Sequence, residues 1–143
     1  MDLTPIVARL SAIAVSVNAL REVQPLSYDE FVADRLVSAA TERHFQVAIQ
    51  AALDIGTIIL AEQSVAVPAA YRDVFPTLAA IGVLPEDFAQ RLAPMAQFRN
   101  VLVHMYLQVD PHKVYDYLQN HLGDFESFAR FISEYISSAN SAS

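Results

Sequence analysis

The sequence predicts an all-α protein. Only three glycines (Gly56, Gly82 and Gly123) occur in 143 residues, no Asn-Gly or Asp-Gly hairpin pair appears, and apolar residues recur at helical spacing. The length fits one domain, spanning 1–136 and followed by a flexible polar tail over 137–143. Such a chain buries roughly 68–70% of its unfolded surface.

The first helix is expected from about Pro5 to Glu22, with Thr4 as N-cap and Pro5 in a first turn that needs no N–H. Ile6, Leu10, Ile13, Val17 and Leu20 share its inner face. Pro25 marks a loop, and Ser27 with Glu30 three residues on reads as a capping box. A long second helix follows, from about Tyr28 to Gln63, with an apolar stripe of Leu36, Ala40, Val47, Ala51, Ile55 and Ile58. Beside it runs a polar stripe, Glu42, Gln46, Gln50 and Asp54, with Arg35 one heptad before Glu42. That stripe is either a solvated face or the wall of a groove opposite a reactive site.

Residues 64–70 form a connector containing Pro68, and a short helix runs from about Tyr71 to Ile81 with Gly82 as its stop. Pro85-Glu86-Asp87 opens the next helix with acid in its first turn, and Pro94 should kink or restart it before a segment reaching about Leu107. Asp110-Pro111 starts a last helix through about Ile136, with Val114, Leu118, Phe125, Phe128 and Ile132 inward.

Apolar residues make up 54% of the chain and charged residues 17%, which excludes intrinsic disorder and leaves apolar surface for a partner or a second copy. The net charge of −7 argues against a general nucleic-acid coat or a polybasic membrane binder, so any polyanion contact falls to a few clustered arginines. Without cysteine, disulfides, zinc knuckles and thiol nucleophiles drop out. No apolar run reaches a membrane span and the N-terminus lacks a secretory pattern, so the cytoplasm is the expected location. His44, His104, His112 and His121 show no metal-ligand spacing, three isolated glycines build no phosphate loop, and no Gly-x-Ser-x-Gly elbow occurs. The acids Glu86-Asp87, Asp124 and Glu126 read as ordinary surface pairs.

What remains is Arg99-Asn100-Val101-Leu102-Val103-His104-Met105-Tyr106. On a continuous helix Asn100 and His104 are i,i+4 neighbours, Arg99 and Tyr106 share an adjacent face, and Val101, Leu102 and Met105 face the core. Arg99 and His104 differ by about 140° around such a helix, so two copies about a two-fold axis are the simplest way to gather both heads in one cleft. The fitting chemistry is phosphodiester cleavage without metal. A histidine can take the proton of a ribose 2′-OH or give one to a leaving 5′-oxygen, and an arginine fork matches phosphate oxygens. The bland alternative is that Arg99 and His104 make structural hydrogen bonds and Tyr106 packs in the core.

The Arg99–Tyr106 stretch resembles the R-x4-H-x-Y motif of the HepT-like branch of the HEPN superfamily, the toxin halves of HEPN–MNT toxin–antitoxin modules. Flanking segments are also similar: Glu42-Arg43-His44-Phe45-Gln46 and Ala51-Ala52-Leu53-Asp54-Ile55, Tyr71-Arg72-Asp73-Val74-Phe75, and Val109-Asp110-Pro111-His112-Lys113-Val114-Tyr115. The likeness spans about residues 5–132. It implies an up-and-down bundle of four to six helices forming a homodimer, and a metal-independent endoribonuclease without cofactor. Arg99 and His104 are then the catalytic pair and Asn100 the polar helper; on a chain of net charge −7, Arg43 and Arg35 are the further arginines expected as weaker substrate contacts. It further implies an RNA substrate, no DNA or membrane partner, and an MNT-type nucleotidyltransferase antitoxin that transfers AMP to Tyr106. A second reading is a non-catalytic module that binds nucleotide or the nucleotidyltransferase.

Overall fold

Four long helices set the architecture, and their directions follow from which side chains meet. The computed structural model describes residues 1–104 and 109–142, which form seven helices and, among those residues, no strand. They are α1 (Thr4–Val23), α2 (Tyr28–Ala33), α3 (Arg35–Glu62), α4 (Val74–Ala80), α5 (Glu86–Val103), α6 (Pro111–Asn120) and α7 (Leu122–Ala142), with a 3-10 turn (Tyr71–Asp73) before α4. Arg9 pairs with Asp54 and Ser16 meets His44, so α1 and α3 are antiparallel. Phe88 packs on Phe131 and Arg91 pairs with Asp124, so α5 and α7 are antiparallel too. Phe45 meets Phe125 and Gln63 meets Tyr135, which makes α7 parallel to α3. The chain therefore runs up, down, up, down through α1, α3, α5 and α7, the predicted bundle.

The helix count exceeds the four to six expected because two predicted helices are each broken. Asp34 leaves the helical region (φ −102°, ψ 101°) and its carboxylate accepts from the Leu36 and Val37 N–H groups, ending α2 and capping α3. His121 separates α6 from α7, and its carbonyl accepts from the Asp124 N–H at 3.1 Å. Pro94, by contrast, does not restart its helix. It lies with Gln90 on the exposed side of α5, where a carbonyl that loses its intrahelical partner can turn to water. Leu3 rather than Thr4 holds the N-cap position of α1, and the Thr4 N–H is taken by the Asp2 carboxylate at 3.0 Å. Residues 137–142 of the expected polar tail lie within α7, which continues to Ala142.

The apolar stripe of α3 also differs from expectation. Leu36 is 84% exposed and Ala40 is exposed, while Phe45, Ala48, Ile49, Ala52, Leu53, Ile59 and Leu60 are buried together with Ala51 and Ile55. α3 touches α1, α4, α5 and α7, so its central turns bury most of their circumference rather than one stripe. For the same reason it is long and apolar enough, by length and composition, to cross a membrane, against the expectation that no segment is; here its apolar side chains are taken up by the bundle core. The predicted Ser27–Glu30 capping box and Gly82 stop (φ 82°) form, and α6 starts at Pro111 as expected, with the Asp110 carboxylate accepting from the His112 N–H. In the core Phe45 lies 5.5 Å from Phe98 and 5.4 Å from Tyr117 by ring centroids, an aromatic cluster directly beneath the end of α5.

Candidate active site

The end of α5 is aimed by the residues it buries. Phe98 packs on Phe45 and edge-on to Tyr117 (4.6 Å), and Leu102, one turn later, is buried. These anchors turn Arg99 toward the middle of α3. Its Nε donates to Gln50 Oε1 (2.9 Å), its NH1 donates to Asn100 Oδ1 (3.2 Å), and its guanidinium carbon lies 4.4 Å from the centre of the Tyr71 ring. Gln50 in turn donates through Nε2 to Asp54 Oδ1 (2.8 Å), and the second oxygen of Asp54 accepts from Arg9 Nε at 3.3 Å.

The chain Arg9–Asp54–Gln50–Arg99–Asn100 has a definite electrostatic consequence. The nearby carboxylate is paired with Arg9, whereas Arg99 is held by two amide oxygens and an aromatic face. It is oriented without being neutralised. The groove between α1, α3 and α5 encloses about 450 Å³ and is lined by Arg9, Arg43, Gln46, Gln50, Asp54 and Arg99, among others. Three arginines against one carboxylate make this a locally cationic place on a chain of net charge −7.

His104 occupies the C-cap of α5. Its N–H still closes the last turn onto the Asn100 carbonyl (3.3 Å), while its own backbone (φ −83°, ψ 61°) leaves the helix, and the residue is exposed. The helical argument that puts Arg99 and Tyr106 on one face therefore ends at Val103, one residue before the histidine. Met105 and Tyr106 lie outside the described residues. Val101, expected on the core side, is 42% exposed.

Of the other predicted contacts, Arg43 lines the Arg99 groove and bonds Gln46 at 3.4 Å. Arg35 begins α3 about 12 Å further along the helix and is not among the residues lining that groove. The polar stripe of α3 resolves in favour of a groove wall at Gln46, Gln50 and Asp54. Glu42 stays outside the groove, and partial burial pushes its carboxyl above the ordinary range. Sequence reasoning missed Arg9 and Tyr71. Tyr71 stood in a similar flanking segment, but nothing local signals that it lies under Arg99. Asp124, read as a surface acid, is buried between Arg91 (3.3 Å) and His121 (3.2 Å). Among the described residues no three His, Cys, Asp or Glu side chains gather as a metal site.

This architecture has known counterparts. The profile of the family described as Ribonuclease HepT-like matches residues 13–132. The chain belongs to that family. Among its relatives, the tRNA nuclease HepT of Aphanizomenon flos-aquae (strain 2012/KM1/D3) is 28% identical over 128 residues, covering 90% of this chain and 87% of its own. The mRNA nuclease HepT of Shewanella oneidensis is 27% identical over 121 residues, covering 83% of this chain and 91% of its own. A solved structure of the tri-AMPylated Shewanella oneidensis HEPN toxin in complex with MNT antitoxin superposes with a TM-score of 0.82 at 25% identity, over 94% of this chain and 99% of that one. The cytosolic protein YutE of Bacillus subtilis shares the fold at a TM-score of 0.85 and 19% identity, over 97% of this chain and 93% of its own. The family places the chain among HEPN-type ribonucleases, in agreement with the likeness carried by Arg99–Tyr106.

Proposed function

We propose that this HepT-like protein is the toxin of a HEPN–MNT pair, a metal-independent endoribonuclease that acts in the cytoplasm as a homodimer with Arg99, Asn100 and His104 of both subunits at one cleft. The observation that carries the reading is the state of Arg99, a guanidinium locked by Gln50, Asn100 and Tyr71 and, among the described residues, spared a carboxylate partner. It sits one turn before a histidine exposed at a helix end.

In this mechanism the imidazole of one His104 accepts the proton of the ribose 2′-OH. The 2′-oxygen attacks phosphorus, the bond from phosphorus to the 5′-oxygen breaks, and that oxygen takes a proton from His104 of the partner subunit. The products are a 2′,3′-cyclic phosphate and a 5′-hydroxyl. Arg99 bears the charge that grows on the non-bridging oxygens, and Asn100 holds the guanidinium plane. Arg43, on the same groove, extends the contact to a neighbouring phosphate, with Arg35 a more distant contact. No step needs a metal ion, so cleavage should persist in EDTA.

The same reading assigns an MNT-type nucleotidyltransferase as antitoxin. The Tyr106 oxygen attacks the α-phosphorus of ATP, pyrophosphate leaves, and the phenolic proton passes to solvent. The added phosphate brings negative charge to the motif and repels RNA.

The test uses purified dimer whose Tyr106 is verified unmodified by mass spectrometry. Wild type should cut RNA, and His104→Ala should abolish cleavage and toxicity with the dimer intact. An unmodified wild-type dimer that cuts no RNA overturns the proposal. Nucleotide binding by that inactive dimer, measured by isothermal titration with ATP, would point to a nucleotide-binding module instead.

A further inference from the structure

A second groove lies on the other face of α5. It encloses about 470 Å³ between α5 and α6 and is lined by Val101, His112, Lys113, Asp116, Tyr117 and His121, among others. Lys113 is the only lysine in the chain, and His112 and His121 are two of its four histidines. On a protein of net charge −7 that concentration stands out.

The groups are also held in place. The His112 ring stacks on Tyr28 (4.2 Å, 11° between planes), and the His121 ring stacks on Tyr117 (4.4 Å, 21°). An Asp124 oxygen faces His121 Nδ1 at 3.2 Å, while Arg91 holds the other oxygen of that carboxylate. With Nδ1–H donated to Asp124, the second ring nitrogen, Nε2, is left for the groove. Asp116, the one carboxylate lining this groove, accepts from Asn120 Nδ2 (2.7 Å) and lies 4.0 Å from His121 Nε2.

We propose that this groove is a subsite for a nucleotide of the RNA flanking the cleaved bond. The proposal rests on the ribonuclease reading above. The outer faces of the His112 and His121 rings offer stacking surface to a base whatever its identity, Lys113 offers donors to a backbone phosphate, and His121 Nε2 offers an acceptor to a ribose hydroxyl or a base N–H. Val101 lines this groove and Val103 lines the Arg99 groove, so the two sites flank the end of α5 on which His104 sits. A single strand crossing that end presents one phosphate to Arg99 and His104 and the adjoining nucleotide to the α5–α6 groove.

The experiment measures binding of a fluorescent, uncleavable 2′-O-methyl RNA oligonucleotide by anisotropy, and steady-state cleavage of the matching RNA, for wild type, Lys113→Ala and His121→Gln dimers. Lys113→Ala should weaken binding at least threefold and shallow the salt dependence by about 0.7 in log–log slope, the release expected for one single-strand phosphate contact. KM should rise with kcat unchanged, and His121→Gln should raise KM in the same way. If neither variant moves affinity or KM while wild type still cuts, the subsite is overturned and the nuclease reading stands. A wild type that neither binds nor cuts overturns both. If Lys113→Ala instead dissociates the dimer in sedimentation, the groove is a contact between copies and the subsite is overturned.

Discussion

At the residue scale, the charge state of Arg99 is set by what holds it. A guanidinium bound to a carboxylate is already half-satisfied, whereas one bound to amide oxygens and a ring face keeps its attraction for phosphate. Gln50 is the decisive neighbour, because it accepts from Arg99 while passing its own N–H to Asp54. Gln50→Glu keeps the shape and the acceptor but sets a negative charge on Arg99. The expected outcome is a fall in kcat/KM of about tenfold or more, with a lowered melting temperature because the new carboxylate loses the N–H given to Asp54 and repels it. Equal activity in the two proteins would show that the neutrality of the site has no catalytic role. This neighbour was half legible. Gln50 stood in a polar stripe that could wall a groove, but its meeting with Arg99 joins residues 49 apart in sequence, and no local pattern reports that distance.

Among the elements, α3 and α4 pack tightly over Gly56. A Cβ added there would fall 2.5 Å from Val74 Cγ1 and 3.1 Å from Leu78 Cδ1. Val74 is β-branched and cannot swing aside, so Gly56→Ala should destabilise the fold by about 1–3 kcal/mol in urea melts despite its gain in helix propensity. The junction before α2 carries a pH dependence. The Ser27 N–H bonds the Glu30 side chain (3.0 Å) and holds its carboxyl below the ordinary range. The stability this contributes is present above the unfolded pKa of Glu30 and is lost as pH falls through the folded value. Glu30→Gln should therefore flatten the acid limb of the stability curve. Glu42 acts with the opposite sign: its raised folded pKa makes its contribution decline as pH rises through the carboxylate range. The capping box was legible because both partners lie within four residues. The break at Asp34 was not, because the residues around it carry no proline or glycine, and aspartate caps a helix only once the backbone has left the helical region.

For the whole molecule, the proposed chemistry needs a proton acceptor and a proton donor on opposite sides of one phosphate, and each chain brings one motif histidine. The active species is then expected at twice the 15.8 kDa chain mass in sedimentation equilibrium, with specific activity falling on dilution as the dimer dissociates. Activity that stays constant through dilution to monomer would refute the shared cleft. The exposed face of α1, with Val15 63% and Val7 56% exposed, shows that the bundle leaves apolar surface outside its core, as the composition suggested.

By itself the sequence determined the helical class, the Ser27–Glu30 capping box, the Gly82 stop, the helix start at Asp110-Pro111 and the inward faces of α1, α6 and α7. All of these rest on spacings within a few turns of one helix, where covalent geometry dictates which side chains are neighbours. Only the tertiary structure decided that α3 is buried on most sides, that Asp124 lies inside, and that Arg9, Asp54, Gln50 and Tyr71 converge on Arg99. Those contacts depend on how whole helices pack, and the side chains that meet there come from elements tens of residues apart.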